Sequence, residues 1–414
     1  MQTNLADWIK DTPDGREAEA VLRRCVHCGF CTATCPTYQL LGDDLDSPRG
    51  RIYLIKRVLE GAPPTAATQL HLDRCLTCRN CETTCPSGVQ YGRLVDIGRK
   101  VVEERVPRKA SERLVRTLLK EGLTSPLFGP AFRLGQLVRP LLPATLKNKV
   151  PARQRAGAWP RRQHERKMVL LAGCVQPSMQ PNINAATARV FDALGIELVV
   201  PRGSGCCGAI RYHLNDHAGG LADARRNIDA WWPALEAGAE AILINASGCG
   251  TQVKEYGHLL RDDPVYAEKA TRVSALAKDI IEVLPSARPD LWPTFETRVR
   301  ARAPQRVAFH PPCSLQHGQK IHGAVEGLLE SLGAEVVPIN EKHLCCGSAG
   351  TYSVLQPDYA RALRDRKLAN LQAEQPEVIL SANIGCITHL ASGTATPVMH
   401  WIEWVDRRLG HGGA

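Results

Sequence analysis

The chain has 414 residues, 44% hydrophobic and 23% charged, with 16 cysteines and a net charge of +10. That length implies about two to four domains, and the composition excludes disorder, collagen and coiled coil as overall classes. The positive excess is local: residues 101–167 hold 16 Lys/Arg against five Asp/Glu, a surplus of 11, so the rest of the chain sums to −1.

Residues 1–15 have neither a basic nor an apolar leader region and carry Asp7, Asp11 and Asp14, unlike a secretory signal. No run of about 18 uncharged apolar residues is present to span a membrane. The expectation is a cytoplasmic chain with reduced thiols, whose clustered cysteines are metal or redox ligands rather than disulfides.

Residues 1–104 form a cysteine-rich module. The pattern C-x2-C-x2-C-x3-C-P occurs as Cys25, Cys28, Cys31 and Cys35 before Pro36, and again 50 residues on as Cys75, Cys78, Cys81 and Cys85 before Pro86. Two-residue gaps let a tight loop wrap three thiolates around one corner of an iron–sulfur core, and the fourth cysteine typically serves the other cluster. One [4Fe-4S] cluster is therefore assigned to Cys25, Cys28, Cys31 and Cys85, and a second to Cys75, Cys78, Cys81 and Cys35. The alternative is a pair of four-cysteine zinc sites, although zinc ribbons favour two separated C-x2-C pairs. His27 reads as a surface histidine or a tuner of cluster potential, and Arg79 as a solvated charge. Helices are expected over 51–60, where Ile52, Ile55 and Leu59 share a face, and over 90–105.

Residues 105–165 read as a basic, Pro-rich connector. Over 112–120, helical spacing puts Leu114, Val115, Leu118 and Leu119 opposite Arg113, Arg116 and Lys120. Apolar residues continue at Leu127, Phe128, Phe132, Leu134, Leu137, Leu141 and Leu142. Such a segment can lie on an anionic lipid surface, or pack on the protein's own domains or a partner with its cations solvated. Nucleic acid fits poorly, with aromatic residues at 5% and no binding module.

Residues 166–290 and 304–410 are two related domains, joined by a linker over 285–304 containing Pro285, Pro289, Pro293 and Pro304. With an offset of 139, Cys174, Cys206 and Cys207 repeat as Cys313, Cys345 and Cys346, and Cys249 and Cys386 correspond after a two-residue shift. Short apolar runs at 168–171, 197–200 and 241–244, and at 307–309, 335–337 and 378–380, read as buried parallel strands. Helical patterns at 182–194 and 324–332 lie between strands, implying α/β domains. The cysteines follow strands, and the carboxyl ends of parallel strands form one ligand-collecting edge. Cys174, Cys206, Cys207 and Cys249, and Cys313, Cys345, Cys346 and Cys386, are thus candidate metal or cluster sites. The plainer reading is small apolar thiols packed beside glycine turns. Gly347 to Gly350 is not a dinucleotide fingerprint.

Two ferredoxin-type motifs followed by two Cys-Cys-Gly domains resemble the iron–sulfur subunits of membrane-associated flavin dehydrogenases, those of glycolate oxidase (glycolate dehydrogenase) above all. The segments carrying the resemblance are 25–38 (CVHCGFCTATCPTY), 48–55 (PRGRIYLI), 72–88 (LDRCLTCRNCETTCPSG), 247–259 (SGCGTQVKEYGHL) and 310–318 (HPPCSLQHG). Other relatives are the iron–sulfur subunits of lactate utilisation, anaerobic glycerol-3-phosphate dehydrogenase and heterodisulfide reductase. The resemblance implies a helical two-cluster module followed by two α/β Cys-Cys-Gly domains. It implies partner subunits carrying FAD that oxidise glycolate to glyoxylate, and a chain that passes electrons to quinone from the cytoplasmic side of the inner membrane. It places no catalytic residue on this chain.

One departure stands out. The heterodisulfide-reductase pattern ends in C-x2-C, whereas Gln252 and His389 replace the last cysteine here. That weakens the alternative reading, a thiol or disulfide reductase working at a Cys-Cys-Gly cluster. A four-cysteine cluster, a metal ion (with His389 a candidate ligand) or a docking scaffold stays open for each domain.

Overall fold

The computed structural model describes residues 1–141 and 153–411; Leu142 of the connector lies outside them. The amino-terminal part is helical. Thr12 caps α1 (Pro13–Arg24), its hydroxyl accepting from the Gly15 N–H at 3.0 Å, and Pro13 opens the first turn. Ser47 caps α4 (Pro48–Leu59) in the same way. Between them lie two short helices, α2 (Phe30–Ala33) and α3 (Pro36–Leu41). Next come α5 (Ala66–Asp73), α6 (Asn80–Thr84) and α7 (Tyr91–Arg105). Ile52, Ile55 and Leu59 of α4 meet Leu94, Ile97 and Val101 of α7, and Cys25, Cys75 and Cys81 belong to this same core. Gly98 permits the close approach, since a Cβ there would sit 2.6 Å from Ile55.

Each later half is built on a four-stranded parallel sheet. The first joins β1 (Arg166–Leu170), β2 (Ile196–Val199), β3 (Ile242–Ile244) and β4 (Ala277–Asp279) in the order β2-β1-β3-β4. The second joins β5 (Gln305–His310), β6 (Ala334–Val336), β7 (Val378–Ser381) and β8 (Val398–His400) in the order β6-β5-β7-β8. In both, the chain direction across the sheet reverses beside the central first strand, so the switch point lies at the carboxyl ends of β1 and β3, or β5 and β7. The apolar runs mark three strands per domain. The fourth, β4 (Ala-Lys-Asp) or β8 (Val-Met-His), ends in a polar residue and makes no apolar run.

The two sheets share one apolar core. Met168 and Leu170 from the first and Val307 and Phe309 from the second belong to it, with Trp401 and Trp404. The stretch 285–304 is correspondingly more than a linker. Its prolines flank and open a helix, Trp292–Arg300, whose Phe295 and Val299 are buried in the joint core. Arg189 crosses between the halves to Asp406, with contacts at 2.6 and 2.9 Å, and both are buried.

The connector folds back as α8 (Ala110–Thr124) and α9 (Phe128–Val138). Its orientation corrects the expectation of solvated cations. Arg116 pairs with Asp73, Lys120 with Asp216, and Arg108 bonds Asp73 and Glu103. Arg116 and Lys120 therefore pack on the protein, while Arg113 stays exposed. The apolar face turns outward: Leu118 is 63% exposed, Leu137 71% and Leu141 86%.

Removing Arg189 would leave a buried carboxylate, a loss of about 3–5 kcal/mol. Arg189→Leu is expected to lower the unfolding free energy of the full chain by that amount, read by urea unfolding. Unchanged stability would mean that the bridge does not join the halves.

Candidate metal centres

The two cysteine motifs build matching loops. In the first, His27 and Gly29 take left-handed backbone, φ 60° and 84°; in the second, Thr77 and Arg79 do so, φ 52° and 59°. Three of these four are not glycine, and each costs of order 1–2 kcal/mol in that conformation. The loops accept this strain because it curls the backbone around the sulfurs. The Thr77 N–H donates to Cys75 Sγ at 3.3 Å. Cys31 and Cys81 then sit in α2 and α6.

Two cavities result. The first is walled by Cys25, Cys28, Cys31 and Cys85, with Cys81 also in its lining. The second is walled by Cys35, Cys75, Cys78 and Cys81. The cysteine before each proline thus faces the other motif's loop. The first cavity opens to solvent beside exposed Cys28, Val26 and Phe30. The thiols of the second are more buried, Cys35, Cys75 and Cys81 fully so, and Arg51, Tyr91 and Leu76 share its wall.

Thiols crowded in this way resist ionisation. Burial, with neighbouring Cys25, pushes Cys31 up to about 11. Burial likewise drives Cys78 and Cys81 well above the usual thiol value. Cys75 goes the other way. Burial alone would raise it, but Arg51 and Arg99, helped by the Thr77 N–H and Tyr91 hydroxyl, outweigh that and hold it low. Arg51 is 1% exposed. Its guanidinium donates to the His71 carbonyl at 2.7 Å, to Thr37 Oγ1 at 3.1 Å and to Asp46 at 3.2 Å, while Thr37 Oγ1 lies 3.3 Å from Cys35 Sγ. Arg99 donates to the carbonyls of Leu72 and Cys75 and to the Thr77 hydroxyl. Soft sulfur donors around two cavities, backed by buried cations, suit iron–sulfur cores. Neither arginine stood out in the sequence. The only sign was that Arg51 lies on the face of α4 next to Ile52 and Ile55, inside the segment PRGRIYLI.

The second cavity abuts the second sheet. Cys78 joins Leu76, Cys345, Tyr352 and Cys313 in one apolar cluster. Asn80 donates to the His343 carbonyl at 3.2 Å, and Thr83 Oγ1 lies 3.0 Å from His317 Nδ1. Arg79 is not solvated. It is half-buried and paired with Glu255 of the first sheet's domain, one contact measuring 2.9 Å. That domain also meets the helical part through His213 and Asp96, 3.2 Å apart, and His258 and Glu17, 2.8 Å. His27 is exposed at the rim of the first cavity.

At each switch point the four later cysteines form a chain of neighbours. In the first domain Cys174 and Cys207 donate to Cys206 and, with Arg226 nearby, bring it down to about 3; Cys249 adjoins Cys207. In the second, Cys313 Sγ donates to Cys345 Sγ at 3.8 Å, Cys345 adjoins Cys346, and Cys346 adjoins Cys386. His389 stands apart, its Nε2 donating to the Ala360 carbonyl at 3.0 Å, and Gln252 is buried. A histidine not singled out as a ligand, His310, does come close. Its ring lies within 4.8 Å of Cys346 and Cys386, and burial drives its pKa well below the usual imidazole value.

Residues 21–89 match a family model described as a 4Fe-4S dicluster domain, and residues 168–254 and 307–391 each match a cysteine-rich domain model. The chain is similar to the glycolate oxidase iron-sulfur subunit of Escherichia coli (strain K12), 54% identical over 99% of both chains. It is also similar to the probable glycolate oxidase iron-sulfur subunit of Bacillus subtilis (strain 168), 29% identical over 91% of this chain and 90% of that one. Lactate utilization protein A of Bacillus licheniformis is 27% identical, with 58% of this chain matching all of that one.

A unit charge at roughly 7 Å in an effective dielectric of about 20 is worth about 2 kcal/mol. Arg51→Gln is therefore expected to lower the potential of the centre in the second cavity by on the order of 100 mV, measured by redox titration, and to leave the first nearly unmoved. Equal shifts in both, or none, would show that Arg51 does not compensate the sulfur charge.

Proposed function

The chain belongs to the family of glycolate oxidase iron–sulfur subunits, and from that premise we propose that it is the conduit between a partner flavin and a membrane acceptor. In this reading residues 1–104 form the two-cluster module. Cys25, Cys28, Cys31 and Cys85 hold one [4Fe-4S] cluster, and Cys75, Cys78, Cys81 and Cys35 hold the other. The carrying observation is the pair of adjoining cavities, each lined by those four thiols, with Cys81 in both walls. The clusters would supply reversible one-electron storage, splitting the two-electron oxidation of glycolate to glyoxylate performed at FAD on the partner.

The chain's own residues set direction and access. Exposed Val26 and Phe30 rim the first cavity, with exposed Tyr53 beside His27, and offer an apolar seat for the flavoprotein. The second cavity is buried against residues 304–410, so its thiols are shielded from water. The connector, residues 105–165, supplies the membrane contact to a quinone acceptor. Its exposed leucines face outward beside Lys109 and Arg113, the pattern that binds anionic lipid. Catalysis by a disulfide-cleaving cluster has less support, since Gln252 and His389 stand where further cysteines would be needed.

Glycolate added to the chain with its flavoprotein partner should bleach the iron–sulfur absorption, and Cys81→Ser should abolish most of that bleaching. Full bleaching in the variant would remove the proposed conduit. Sedimentation with vesicles tests the connector. Binding to anionic vesicles should fall about tenfold or more in the double variant Leu118→Asp, Leu137→Asp, whereas equal binding by both proteins would move the acceptor contact elsewhere.

A further inference from the structure

The two cysteine-rich domains repeat each other in strand order and cysteine placement, but not in what faces the cysteines from the first strand. Three residues before Cys174 stands Leu171, buried in the same apolar core as Cys207. Three residues before Cys313, at the end of β5, stands His310. His310 is 1% exposed, and neither ring nitrogen has a hydrogen-bond partner among the described residues. A buried imidazole rarely leaves both nitrogens idle. One ring nitrogen and the sulfurs of Cys346 and Cys386 lie within 4.8 Å of one another, all buried.

We propose that the second cysteine-rich domain binds one thiophilic divalent cation of the zinc class through His310, Cys346 and Cys386, with Cys345 as the fourth donor, and that the first domain does not. The inference is independent of the electron-transfer reading. Bonds of about 2.1–2.3 Å to a tetrahedral ion set its donors about 3.5–3.8 Å apart. Closing from 4.8 Å thus takes about an ångström of side-chain movement. Cys345 is a neighbour of Cys346 and lies on the side facing the helical module. A cubane core would instead sit between its thiolates and hold them apart. Cys313 and Cys345 lie 3.8 Å apart, closer than the thiolates of a bound cubane stand. Imidazole with thiolates suits zinc or cobalt(II), and Leu171 removes the nitrogen donor from the first domain.

The test is cobalt(II) uptake by the full-length, iron-loaded chain, followed by the thiolate-to-cobalt charge-transfer and tetrahedral d–d bands, alongside zinc analysis of the protein as purified. One equivalent of metal besides iron is expected. His310→Leu should weaken cobalt binding at least tenfold while iron and sulfide stay constant, and Cys249→Ser in the first domain should change nothing. Unchanged uptake in His310→Leu overturns the proposal, as does a loss of iron and sulfide with His310, which would mean a cluster. Should His310→Leu fail to fold, zinc X-ray absorption on the unaltered chain decides. Mixed nitrogen and sulfur scattering upholds the site, and sulfur alone overturns it.

Discussion

Gathering eight cysteine sulfurs, all but Cys28 buried or half-buried, in a small helical body sets the terms for the rest of this molecule. Each thiolate repels its neighbours and loses hydration on burial. The protein answers with positive charge fixed beneath the second cavity. Arg51 is fully buried and held by Asp46, Thr37 and the His71 carbonyl, so the guanidinium cannot swing away from Cys35 and Cys75. Asp46, itself buried, also accepts from Arg74 at 2.8 Å. Anchoring these groups requires α4 to start at Ser47, α5 to end beside the second loop, and α7 to press against α4 at Gly98. The helical fold and the charge balance are one arrangement.

The two sheets give that arrangement its setting. They share a core, and the helical body docks against both, by ion pairs to the first (Arg79 with Glu255, Glu17 with His258) and by apolar packing to the second (Leu76 and Cys78 with Cys345 and Tyr352). The apolar side covers the deeper cavity, while the shallower one keeps an open rim. This asymmetry separates a face suited to a partner from a buried interior, and the outward-turned leucines of α8 and α9 form a third, distinct surface.

Much of this was legible in the residue order. C-x2-C spacing grouped eight cysteines, because a tight turn around a core needs those gaps, and the structure arranges them around two cavities. Apolar runs marked six of the eight strands. The other two, Ala-Lys-Asp at 277 and Val-Met-His at 398, carry polar residues and form no apolar run. Prolines 285–304 signalled a break, yet Pro293 opens a helix. Helical spacing found the amphipathic connector but could not say which face packs inward, because ion pairs to Asp73 and Asp216 come from distant parts of the chain. Arg51, Arg79 and His310 were hidden for a related reason: a charged or polar residue acquires its meaning from partners brought together only by folding.

Electron paramagnetic resonance of the fully reduced chain tests most directly whether the two adjoining cavities each hold a cluster. With Cys81 lining both cavities, the spectrum should integrate to about two spins per chain and show broadening from spin–spin coupling. A single spin, or two without interaction, would contradict a pair of adjoining clusters.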